Sequence, residues 1–95
     1  MRFVVQWPNG DVETCYSPSL VVHDYLEEGR SYELDDFVER GRVALQIASE
    51  RVRAKYGVAC SRALDQLRRI EDKAAALRGH VDGHVRVVSF EGPRP

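Results

Sequence analysis

At 95 residues, with 43% apolar and 31% charged side chains, the chain has the length of one domain and the composition of a globular protein, not a disordered one. A formal net charge of −1 excludes the strongly basic balance of a general nucleic-acid binder. No apolar run approaches the ~20 residues of a membrane span. Met1-Arg2-Phe3-Val4-Val5-Gln6-Trp7 turns polar too soon for a secretory signal, so the expectation is a cytoplasmic protein with both of its two cysteines reduced.

The first sixteen residues predict a β-hairpin. Phe3, Val5 and Trp7 alternate with Val4 and Gln6, which makes one face of a strand apolar. Pro8-Asn9-Gly10 is the turn, proline presetting φ and glycine able to take the left-handed conformation after it. A three-residue loop with a bulge pairs Trp7 with Asp11 and puts Cys15 on the Phe3 face; a two-residue turn pairs Trp7 with Val12 and puts Tyr16 there. The missing N–H of Pro8 favours the first register, whereas the apolar pattern of Val12 and Tyr16 favours the second.

Residues 17–34 have two readings. Ser17-Pro18 suits a helix start that runs toward Gly29, while Leu20-Val21-Val22 suits a short extended segment. A long helix follows, with Asp36 and Glu39 spaced as a capping box. Its stripe comprises Phe37, Gly41, Ala44, Leu45, Ala48 and Val52, widened by Ile47, and small residues there permit close approach by a neighbour. Gly57 after Tyr56 is the stop. A second helix carries Ala63, Leu64, Leu67, Ile70, Ala74 and Leu77 on one face and an Asp65/Arg69 pair on the other. Gly79 and Gly83 bracket a loop, Val85 through Phe90 forms a closing strand, and residues 91–95 form a frayed tail. Since a lone hairpin is marginal, the last strand should join it under the helices. The expected architecture is a single α+β domain: an N-terminal β-hairpin, an antiparallel helical hairpin, and a C-terminal strand completing a small antiparallel sheet.

Charge is unevenly placed. Residues 1–37 hold eight acids against two bases, a balance of −6, and the remainder carries +5. Such polarity can steer a charged partner or draw copies together, but exposed charges are individually worth little, and solvated helix faces are the plainer account.

Few residues carry a chemical signature. Cys60 falls near the start of the second helix, where the dipole, Arg53, Lys55 and Arg62 would favour a thiolate; it serves equally as a small apolar side chain in line with Leu64 and Leu67. Ser61 with the free amides of the same helix start is a candidate anion site, or simply an N-cap. His23, His80, His84, Cys15 and Cys60 lack the paired Cys-x-x-Cys spacing that anchors zinc, so no metal or other cofactor is expected. Trp7, Tyr16, Tyr25, Tyr32 and Tyr56 are expected in the core before a nucleic-acid face with Arg51, Arg53 and Lys55. No phosphate-binding loop or nucleophile elbow occurs, so no catalytic residues are assigned.

Trp7-Pro8-Asn9-Gly10, Cys15-Tyr16-Ser17-Pro18-Ser19-Leu20, the run from Ala48 to Gly57, and Cys60-Ser61-Arg62-Ala63-Leu64 resemble a family of small bacterial nitrogen-starvation-response proteins. The resemblance implies a gene neighbour encoding a nitrilase, in clusters linked to nitrile or cyanide assimilation, and a cytoplasmic accessory or regulatory role without established catalytic residues. The leading expectation is therefore a non-enzymatic protein that binds a protein partner, with enzymes of the same gene cluster as candidates, or that self-associates; neither a membrane nor nucleic acid is expected as partner. The candidate contact face is Tyr16, Ser17, Arg53, Lys55, Cys60, Ser61 and Arg62. The alternative is a small thiol-dependent enzyme or anion binder using Cys60.

Overall fold

The computed structural model describes residues 1–79 and 83–92. Its elements are β1 (Arg2–Gln6), β2 (Val12–Tyr16), a 3-10 helix (Leu20–Asp24), β3 (Ser31–Glu33), α1 (Leu34–Tyr56), α2 (Ser61–Leu77) and β4 (His84–Glu91). The antiparallel sheet runs in the order β2-β1-β4-β3. The expected α+β architecture is present, with one strand more than the sequence pattern foretold.

The hairpin takes the register with the three-residue loop. Phe3 faces Cys15, the Trp7 N–H donates to the Asp11 carbonyl at 2.8 Å, and Gly10, at φ 92°, closes the turn back onto the Trp7 carbonyl. β4 then pairs with the other side of β1, Phe3 against Phe90, with a bulge beside Val4 and Val5 where Val88 has no counterpart. One face of the sheet buries Phe3, Val5, Trp7, Cys15, Tyr32, Val85, Val87 and Phe90 beneath the helices.

Leu20–Asp24 form neither the α-helix that would run toward Gly29 nor the short extended segment. Ser19 instead caps a single 3-10 stretch through its Oγ, which accepts the Val21 N–H at 3.3 Å, and Val21 and Val22 are buried by it. Stiff β-branched side chains disfavour a longer α-helix here, and burying two of them needs only one turn. β3 follows, too short to show a period, and leads into α1 without a loop.

That direct passage removes the proposed capping box. Glu33 occupies the N-cap with no side-chain bond, and the Leu34 N–H is taken by the Gly83 carbonyl at 2.7 Å. Asp36 and Glu39 instead pair with Arg40 and Arg42 along the helix. Phe37, Val38, Gly41, Ala44, Leu45 and Ala48 are buried as a stripe, whereas Val52 and Ile47 are half-buried. Gly57, at φ 84°, ends α1 with its N–H on the Arg53 carbonyl at 2.8 Å.

On α2, Ala63, Leu67, Ile70, Ala74 and Leu77 are buried, but Leu64 is exposed and Gln66 takes an interior place. The cause lies in the sheet: β2 is an edge strand, its last N–H, on Tyr16, needs an acceptor, and Gln66 Oε1 supplies one at 3.0 Å. Among the described residues the expected Asp65/Arg69 ion pair does not form. Arg42 reaches from Glu39 to Glu71 and braces the helices on their outer side. The expected tail retains Glu91 within β4, and residues 93–95 lie outside the described residues, as do His80 and Asp82.

Candidate functional site

The last residue of β2 and the first turn of α2 meet. The Arg62 guanidinium lies 4.0 Å from the centroid of the half-buried Tyr16 ring, a cation–π contact between the two elements. Ser17 belongs to the scaffold: it is fully buried, exchanges backbone bonds with Met1 at 2.9 and 3.0 Å, and its Oγ donates to the Ser19 carbonyl at 2.7 Å. Its hydroxyl is thus not presented outward.

Cys60 occupies the N-cap of α2 in extended conformation, half-buried against the core, with its carbonyl accepting the Leu64 N–H at 3.2 Å. Neither Cys60 nor the exposed Ser61 caps the helix through its side chain. Cys15 is fully buried on the sheet, and burial pushes its thiol pKa up, reinforced by Glu13. Arg53 and Lys55 sit exposed in the last turn of α1, the first 3.7 Å from Glu50 and the second with its ammonium 5.3 Å from the Tyr56 ring centroid.

Around the turn between the helices three apolar side chains remain exposed: Tyr56 (68%), Val58 (69%) and Leu64 (44%). The expectation of aromatic core holds for Trp7 and Tyr32 and fails for Tyr56. Arg53 and Lys55 set cationic groups next to Tyr56 and Val58 at the hairpin tip, whereas Arg62 turns to Tyr16, on a different side of α2 from Leu64. The acids at the opposite end, Asp35 and Asp36, stand in the first turn of α1, so part of the charge asymmetry complements the helix macrodipole.

Beside Tyr16, a cleft of about 230 Å³ is lined by Tyr16, Arg62, Asp65, Gln66 and Arg69. Gln66 is 5% exposed and its amide is oriented by the Tyr16 N–H, yet its buried Nε2 has no hydrogen-bond partner among the described residues. An unpaired buried donor costs about 1–3 kcal/mol in lost hydration. Val58, Leu64, Gln66 and Arg69 were not expected here. The apolar residue directly after a helix-stopping glycine was the available signal for Val58; none marked Gln66, whose burial depends on the sheet edge.

Among the described residues no three His, Cys, Asp or Glu side chains gather as metal ligands, and no helix is long and apolar enough to cross a membrane. Compared with known proteins, the chain matches over residues 2–90 the family model described as nitrogen starvation-induced protein NitG. No curated protein and no solved structure matches it.

Proposed function

This chain belongs to the NitG family of nitrogen starvation-induced proteins, and from that premise we propose that it is a non-enzymatic accessory protein that docks on a protein partner through the tip of its helical hairpin. The observation that carries this reading is the exposure of Tyr56 and Val58 at the turn between the helices, next to Arg53 and Lys55 in the last turn of α1, with Leu64 exposed in the first turn of α2. Large apolar side chains rimmed by charge are the composition of a binding surface. The cationic rim selects a partner with an apolar pocket and an acidic border, for which steering accelerates encounter. Enzymes encoded with it beside a nitrilase are the candidate partners, in a bacterial cytoplasm. Two unbridged cysteines accord with a reducing compartment.

The test uses purified cluster enzymes and the full chain. The expected result is binding by one enzyme that Val58→Glu abolishes, that Arg53→Glu weakens, and that salt attenuates. Equal binding by wild type and Val58→Glu, or binding by none of the enzymes, overturns the reading. Self-association lost in Val58→Glu would instead assign the tip to a second copy, and retention on DNA or RNA to nucleic acid. Turnover that iodoacetamide abolishes would favour the Cys60 alternative.

A further inference from the structure

We propose that the side of the sheet turned away from the helices packs, two-fold related, on the same side of a second copy of this chain. On that side Thr14, Val4 and Ser89 form a middle rung across β2, β1 and β4. The bulge in β4 adds Val88 beside this rung, 40% exposed. Val12, 64% exposed, stands on the next outward rung with Gln6 and Arg86. An antiparallel sheet with one face in water carries polar side chains on that face, and Val4, Val12 and Val88 depart from this pattern.

Charge makes this face complementary to itself. On β4, Arg86 lies to one side of the middle rung and Glu91 to the other; on β1, Gln6 and Arg2 do the same. A two-fold axis along the middle rung therefore sets β4 over β4 in the opposite direction. Arg86 of each copy then meets Glu91 of the other, Arg2 meets Gln6, and Val4 and Val88 pack on their counterparts. Arg86 is exposed and forms no ion pair among the described residues, while Glu91 has Arg2 at 3.9 Å. An axis along the strands would instead put β4 over β1 and Arg86 over Gln6, leaving the guanidinium without a carboxylate. Aligned sheets pack about 10 Å apart, a gap that valines and long charged side chains fill. So small a face falls at or below about 1,200 Å² in total, so the dimer should be weak and concentration-dependent. None of these side chains belongs to the tip of the helical hairpin, so the inference stands apart from the partner surface.

Sedimentation equilibrium of the full chain over a concentration series provides the test, with circular dichroism as the control for folding. Wild type should pass from monomer to dimer mass. Val88→Glu and Arg86→Glu alter exposed side chains, so both variants should keep the folded spectrum. Each should weaken the dimer about tenfold or more. Arg86→Glu combined with Glu91→Arg exchanges the charges of the cross-pair and should recover most of that loss, whereas Val58→Glu should leave the dimer unchanged. Monomer mass at every concentration overturns the proposal, as does a dimer that Val88→Glu leaves intact. A dimer lost in Val58→Glu would assign the contact to the helical tip and overturns it too. A double exchange no better than Arg86→Glu alone overturns the two-fold arrangement.

Discussion

Arg62 lies across the Tyr16 ring, 4.0 Å from its centroid, and thereby joins the first turn of α2 to the last residue of β2. Four residues farther along α2, Gln66 takes the Tyr16 N–H, so one strand end is held by both a side-chain stack and a backbone bond. A sheet edge that would otherwise invite a neighbouring chain is closed at this rung by the protein's own helix.

Loss of the stack has a modest, measurable cost. Arg62→Ala should lower stability by about 0.5–1 kcal/mol in urea unfolding, and Tyr16→Phe should leave it nearly unchanged. A double-mutant cycle between Arg62→Ala and Tyr16→Ala reads the coupling directly; strict additivity would show that the two side chains act independently.

Gly41 is buried in the middle of α1, yet an added methyl group would meet only Ile70 Cδ1, at 3.9 Å. That is an ordinary contact. Glycine in a helix interior costs about 1 kcal/mol relative to alanine, so Gly41→Ala should stabilise the protein by about 0.5–1 kcal/mol. Thermal unfolding checks this, and destabilisation would mean that the helices require the absent side chain for their approach.

The two cysteines should differ in reactivity. Cys60 is half-buried and should be modified in the native protein, whereas Cys15 should react only after unfolding. Burial disfavours the Cys15 thiolate in the folded chain, so its folded pKa lies above the unfolded value of about 8.5. The unfolded state therefore releases the proton first. Stability is full below about pH 8.5 and falls as pH rises above it, by at most about 1.4 kcal/mol per pH unit. Cys15→Ala should remove that alkaline slope; an unaltered slope in the variant would assign it to other groups.

The Trp7 and Phe37 rings meet edge to face, with centroids 5.5 Å apart at 82°, and the Trp7 indole N–H donates to Glu13 Oε1 at 3.0 Å. Phe37→Ala should cost about 3–5 kcal/mol through the cavity it leaves. The chain has one tryptophan, so its emission reports this site and should shift to longer wavelength in the variant. Unshifted emission would indicate that the surrounding core collapses into the gap.

The tip surface was half legible in advance. Arg53 and Lys55 follow from charge near the helix turn, whereas the sequence predicts Tyr56 in the core. Its exposure comes from its place at the end of α1, where the stripe has already dropped from buried Ala48 to half-buried Val52. Ser17 had a sequence neighbourhood like that of Tyr16 and an opposite fate, because pairing with Met1 draws its backbone into the sheet.

What the amino-acid order determined by itself was local: the Pro8-Asn9-Gly10 turn, the stripe of α1 from Phe37 to Ala48, and the stop at Gly57. Each is governed by dihedral preference or by periodicity within a few residues, and such energies act before any distant contact forms. Tertiary structure alone decided that Ser31–Glu33 pairs as a strand, that Gln66 lies inside while Leu64 lies outside, and that Gly83, not an acidic side chain, satisfies the start of α1. Those outcomes turn on which buried N–H or carbonyl group lacks a partner once the chain is folded, and the missing partner comes from another part of the chain.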